Sequence, residues 1–339
     1  MISIFPVVVK YLFIWLMTCV LLSAALISEV AYTLLLRIIR GPRKNLLKNI
    51  PVIRMLTPFA HKTLLPESSC KIAALFCPVA AFALLFPIYA SIPVGTGVPI
   101  IDNGGDLIQI MSCVLLSSAF AIISVSSLGT NSGKMVAAWL MKDTMALFLP
   151  LMACFASMAS YFVSVGVTGD TFSLNPFTLA VPFNSMDAPG IIGVVVFIFV
   201  IFSQLQHNDI ETGCILLDDG ELPDYRGLQR VFLQFWGLAM PYIIILLTAH
   251  IFFPWSFFSN SGHGTVESFI FGLLGFISFW LMIVFLRVVV VTLCWKIMAV
   301  VQKYLPDKMT PWILPALTIT AMLLIYYDSI KVSAELIAF

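Results

Sequence analysis

Apolar runs of about 20 residues recur along the whole chain, separated by short polar or Gly- and Pro-rich stretches. Each is long enough to cross roughly 30 Å of hydrocarbon as a helix whose backbone groups are satisfied internally. The runs are read at about Tyr11–Leu36, Cys70–Ile92, Leu107–Leu128, Val136–Val165, Gly190–Gln204, Val231–Phe253, Ser268–Met298 and Trp312–Ile330. The pattern predicts an all-α polytopic membrane protein, a single membrane domain over residues 1–339 with about eight transmembrane helices. No small-residue cleavage site follows the first run, so it reads as a retained span rather than a signal peptide.

One segment has a different period. After Arg40-Gly41-Pro42, which stops a helix, Leu46, Leu47, Ile50, Ile53, Leu56 and Phe59 recur at spacings that suit one helical face, while Lys44, Lys48 and Arg54 supply the polar side. The stretch from about Arg43 to Lys62 is therefore expected to be an amphipathic helix lying in the membrane interface, with Pro51 near a start or kink.

Composition agrees with the pattern: 60% of the 339 residues are apolar and only 10% charged, against roughly 25% charged in soluble domains. The net charge of +1 and the confinement of bases beside the spans argue against a nucleic-acid partner. Seven scattered cysteines without a C-x-x-C pair indicate neither a disulfide framework nor an iron–sulfur or zinc site, and the four histidines are equally dispersed. No metal ligands and no catalytic residue are assigned.

Lys and Arg set the orientation, because short loops that carry them stay in the cytoplasm. The loop after span one holds Arg37, Arg40, Arg43, Lys44, Lys48, Arg54 and Lys62, and those after spans three, five and seven hold Lys134, Arg226, Lys303 and Lys308. The loops after spans two, four and six hold none. A multi-pass protein of the inner (cytoplasmic) membrane with both termini on the outer, periplasmic side is expected.

The long polar interruption at about residues 205–230 carries Asp209, Glu211, Asp218, Asp219, Glu221 and Asp224, six of the 17 carboxylates, on the predicted cytoplasmic side. Such a charge run has a bland reading as a solvated loop, yet a plain connection between spans needs only about 2–6 residues. Within the spans lie Glu29, the adjacent Lys142 and Asp143, and Arg287. Glu29 either snorkels to the interface or faces a bundle interior. Intramembrane ionisable groups are costly enough to be functional candidates by default, and the alternative for Lys142 and Asp143 is a satisfied structural role with separate partners, since sequence neighbours point about 100° apart on a helix.

Several motifs stand in the same order as in one known family. Arg40-Gly41-Pro42 precedes the amphipathic helix, Pro66-Glu67-Ser68-Ser69 precedes span two, Gly104-Gly105-Asp106-Leu107-Ile108 opens span three, and Asp219-Gly220-Glu221-Leu222-Pro223-Asp224-Tyr225-Arg226-Gly227 lies in the acidic loop. With them the chain resembles, as a divergent member, the membrane subunit that joins the arms of respiratory complex I and its relatives in formate hydrogenlyase and other energy-converting hydrogenases. Lys142-Asp143 falls where the hydrogenase branch has an Arg-Glu pair, and Arg287 roughly where the family has an intramembrane lysine. The branch's second glutamate two turns later falls on apolar residues near Leu151.

The resemblance implies a non-catalytic subunit of an oxidoreductase complex, docking a peripheral cytoplasmic redox arm and helping couple electron transfer to proton or sodium movement toward antiporter-like membrane subunits. Asp143, Lys142, Asp209, Glu211, Asp218, Asp219, Glu221, Asp224, Arg287 and Glu29 are then the ion-path candidates. Arg40, Arg43, Lys44, Lys48, Arg54, Tyr225 and Arg226 are the docking candidates. This chain would hold no cofactor; iron–sulfur, nickel–iron or flavin groups would sit in partner subunits. Two alternatives stand beside it: a membrane anchor or scaffold without transport of its own, and a stand-alone secondary transporter, which would favour inverted repeats. No convincing internal repeat is visible.

Overall fold

A computed structural model describes residues 65–92, 106–164 and 227–252, with scattered further positions between 19 and 34, 274 and 289, and 316 and 326, every one of them helical. Among the described residues all regular structure is α-helix: α1 (Lys71–Ala83), α2 (Leu85–Ser91), α3 (Leu107–Ser126), α4 (Asn131–Ser164) and α5 (Leu228–Phe252). Among the described residues three stretches are long and apolar enough to cross a membrane, Lys71–Ser91, Leu107–Ser126 and Leu228–Leu247. They fall on the second, third and sixth predicted spans.

Span two is one span made of two helices, and proline chemistry places the break. Pro87 lacks an N–H and its ring crowds the carbonyl four residues earlier, which belongs to Ala83, where α1 ends. Leu84 bridges the two helices with its N–H on Ala80 O. Ile92, before Pro93, is extended (φ −84°, ψ 123°) as a residue preceding proline must be, and closes α2.

Asp106 starts α3. Its carboxylate accepts the backbone N–H of Ile108 (2.9 Å) and Gln109 (3.4 Å), covering two of the donors that a helix start leaves open. Thus the Gly-Gly-Asp-Leu-Ile stretch acts locally as a cap.

The turn from α3 to α4 is tighter than the sequence suggested. Gly129 takes φ 70°, a left-handed conformation that ends helices, and Thr130 caps α4 through Gly133 N–H to its Oγ1 at 3.1 Å. Helix α4 therefore begins at Asn131, and Lys134, expected in the connecting turn, lies in its first turn instead. At 1.5 Å per residue its 34 residues run about 51 Å, well beyond the hydrocarbon thickness.

Helix α1 packs on α3 and α5, α3 packs on α4, and α2 closes the gap between α3 and α5. Leu85, Ile88, Tyr89, Leu107, Ile110 and Met111 are fully buried there. Phe82 of α1 meets Phe232 and Phe235 of α5 at ring separations of 5.4 and 6.1 Å, and Phe76 meets Phe120 of α3 edge to face. Outward residues are also apolar, among them Ile72, Phe76, Leu116 and Met135. Apolar surface on the outside, with polar groups turned inward, is what a lipid solvent selects.

Candidate functional site: a buried polar seam

Small hydroxyl residues interrupt the apolar run of α3 at Ser117, Ser118 and Ser124, and all three are buried. Ser118 returns its hydroxyl to its own helix, on Val114 O at 2.9 Å. Ser117 instead joins three helices. Its Oγ accepts the indole N–H of Trp236 on α5 (2.8 Å) and donates to Ala81 O on α1 (2.8 Å). Ala81 lies in the last turn of α1, three residues before the break at Leu84, so the buried serine bonds α1 close to where the span is interrupted.

A second tie lies beside it. Tyr89 on α2, 1% exposed, donates its phenol O–H to Ala239 O on α5 at 2.8 Å. The first turn of the same helix α5 carries Arg230 and, one turn on, Gln234, both buried. Residues four apart share a helical face. A cation in a first turn opposes the helix dipole, so the dipole does not account for the burial of Arg230.

A third knot closes one end of the bundle. Cys70 N–H donates to Ser127 O (2.8 Å), Ser68 Oγ to Leu128 O (3.2 Å), and Ser69 N–H and Oγ both to Pro66 O. A Cβ built on Gly129 would stand 2.7 Å from Ser68 O, so only glycine lets the two turns touch. The Pro-Glu-Ser-Ser motif is thereby pinned against the α3–α4 turn, and α1 starts level with the end of α3.

Chemically these groups bind helices to one another. Ser117 is engaged as both acceptor and donor, and Tyr89 spends its proton on a backbone carbonyl. Among the described residues no cluster of His, Cys, Asp and Glu could hold a metal, and the cysteines described there, Cys19, Cys70, Cys77 and Cys113, are free thiols.

Of the residues singled out in the sequence, Lys142 is described and lies on the exposed side of α4. Asp143 belongs to the same helix, with its side chain outside the description. Glu29, Asp209, Glu211, Asp218, Asp219, Glu221, Asp224 and Arg287 lie outside the described residues, as do Arg40, Arg43, Lys44, Lys48, Arg54, Tyr225 and Arg226. The amphipathic segment at about 43–62 and the acidic loop at about 205–230 are outside them too, apart from the loop's end at Gly227 to Arg230. Sequence reasoning passed over Ser117, Trp236, Tyr89 and Gln234 and saw Arg230 only as the end of the acidic stretch. The available signal was the pair of serines inside an apolar run, with a tryptophan in another.

No family model and no curated protein matches the sequence. Among solved structures, the chain is similar to one in the structure of the membrane-bound sulfane sulfur reductase, an archaeal respiratory membrane complex, with TM-score 0.56 at 15% identity. The similarity covers 92% of this chain and 99% of that one. The apolar helices and this likeness together make the chain an α-helical integral membrane protein with the fold of a chain from a respiratory membrane complex.

Proposed function

We propose that this chain is a membrane subunit of a complex-I-like or energy-converting-hydrogenase-like assembly, where it docks a peripheral cytoplasmic redox arm and helps couple electron transfer to proton or sodium translocation. The observation that carries the reading is the fold likeness to a chain of a respiratory membrane complex along nearly the full length of both. The order of the four sequence motifs supports the same family. In this reading the electron carriers reside in partner subunits, antiporter-like membrane subunits receive the transmitted charge, and the basic segment around Lys44, Lys48 and Arg54 meets the arm at the inner membrane surface. Asp143 and the carboxylates from Asp209 to Asp224 are the groups through which charge would pass.

One observation favours a second reading, an anchor or scaffold without transport of its own. The interior hydroxyls at Ser117 and Tyr89 are committed to fixed hydrogen bonds between helices.

Both readings meet one experiment. The full chain is expressed with its neighbouring genes, purified by an affinity tag, and reconstituted in sealed vesicles. Co-purification of a redox-active peripheral protein, with donor-driven acidification or sodium uptake, is expected under the first reading. Redox activity without ion movement would leave only the scaffold, and purification without any redox partner would remove both.

A further inference from the structure

The bundle of α1, α2, α3 and α5 differs between its two ends. Cys70 is bonded to Ser127 and Ala81 to Ser117, so α3 runs antiparallel to the second span and each of its residues has a level on that span. Phe82 lies against Phe232 and Phe235, Trp236 reaches Ser117, and Tyr89 reaches Ala239. Helix α5 therefore runs the same way as α1, with its residues 232–236 level with Ala81 and Phe82. Buried polar side chains follow this ruler. Ser117, Ser118 and Gln234 lie at that level, and Ser124 and Arg230 lie between it and the knot.

Beyond that level, away from the knot, the helices change character. Residues 88–92 are each at most 1% exposed and residues 242–247 at most 4%, more than a full turn of each helix, so both are enclosed on every side. Helix α1, by contrast, turns Ile72 and Phe76 outward at 82% and 62% exposure. Leu85, Ile88 and Ile92 stand level with Leu107, Ile110 and Met111 of α3, and all six are buried. Two hydroxyls in this layer are held by carbonyls, Ser91 Oγ on Pro87 O and the Tyr89 O–H on Ala239 O, both at 2.8 Å. The layer is about 10 Å deep from Leu85 to Ile92. Buried water needs polar partners, and an apolar constriction excludes ions by shedding water.

We propose that this far half of the bundle is a fixed apolar seal, centred on Ile88 of α2 and Ile110 of α3, which closes the contact between α2, α3 and α5 to water and ions. The inference deepens the reading above and rests on it for orientation, in which the knot, with Lys134 beside it, faces the cytoplasm. Charge accepted by this chain then leaves it sideways toward neighbouring subunits, because the way straight across is shut.

The test uses the full chain in sealed vesicles of phosphatidylethanolamine and phosphatidylglycerol, with a pH-sensitive dye inside and an imposed pH gradient. The wild-type chain should hold the gradient as well as empty vesicles do. Ile88→Ser with Ile110→Ser offers water polar partners inside the seal and should raise passive proton entry about tenfold. Leu116→Ser, at a position exposed on the outside of α3, should not. Should the double variant fail to fold, Ile110→Cys serves instead: its thiol should stay unmodified by a charged methanethiosulfonate applied on either side, with the labelled peptides identified by mass spectrometry. A leaky wild type, a folded double variant as tight as wild type, or rapid labelling of the Ile110→Cys thiol would each overturn the seal. A tight wild type that leaks on Ile88→Ser/Ile110→Ser but captures no redox partner would keep the seal and remove the respiratory reading, so the two can fail separately.

Discussion

The indole N–H of Trp236 rests on the hydroxyl of Ser117 at 2.8 Å, joining helices 119 residues apart in the chain. Because Ser117 in turn donates to Ala81 O, a single oxygen ties α1, α3 and α5 together in a region that lipid and water do not reach. In a membrane interior apolar contact provides little net drive for helix association, so such bonds and close packing hold the arrangement.

Ser117→Ala removes both bonds and leaves the Trp236 N–H buried without an acceptor. The expected loss is about 1–2 kcal/mol, the range for an orphaned neutral donor and for interhelical bonds in membranes. Thermal unfolding in detergent reads it. Trp236→Phe should lose a similar amount, and the double variant less than the two together, with coupling near 0.6–1.7 kcal/mol. Strict additivity would mean that the bond contributes nothing.

Gly129→Ala is expected to be worse than a surface alanine substitution has any reason to be. The residue sits at φ 70°, which costs an L-side chain about 1–2 kcal/mol, and the added carbon meets Ser68 O at 2.7 Å. Asparagine separates the two causes, since it tolerates the left-handed region but still carries a Cβ. Both variants should melt lower and express less than wild type. Wild-type melting for Gly129→Asn would show that the contact with the Pro66–Ser69 turn is unimportant.

Much of the fold was legible because lipid imposes so simple a rule. The starts and ends of spans two and three were read to within two residues, and Asp106, read as part of a motif, is the N-cap of α3. The α4 boundary was missed because Thr130 and Gly129 act through turn geometry that hydropathy does not register, and this moved Lys134 from a loop onto a helix. Ser117 escaped notice for another reason: a lone serine in an apolar run looks the same whether it bonds its own helix, as Ser118 does, or two others. Likewise nothing in one sequence tells which side of a helix Lys142 occupies, because that depends on which neighbours α4 packs against.

The basic segment from about Arg43 to Lys62 should hold the peripheral arm through charge. Against an anionic leaflet each Lys or Arg near the surface contributes about 1 kcal/mol, so changing Lys44, Lys48 and Arg54 to Gln should remove about 3 kcal/mol of surface attraction. The expected result is loss of the arm during detergent extraction, with the membrane part recovered intact. An unchanged yield of the complete assembly would count against this segment as the docking surface.

Asp143 decides between the two proposed roles. Its backbone lies on α4 about 18 Å beyond Asn131, within the stretch that crosses the membrane level defined by the neighbouring helices. A carboxylate at that depth is costly when ionised, and an intramembrane ionisable group is by default a functional candidate. Asp143→Asn keeps the size and most hydrogen-bonding capacity while removing the titratable group. A group that relays protons cannot be replaced in this way, whereas one that only ties helices together largely can. The expected outcome is a variant that assembles with its redox partners in normal yield, keeps electron transfer, and no longer acidifies or loads the lumen of sealed vesicles. Full pumping by a normally assembled Asn variant would rule out the relay and leave the scaffold reading. Failure to assemble would place Asp143 among the structural groups, and melting of the isolated chain in detergent, lowered in that case and unchanged for a relay, separates the two.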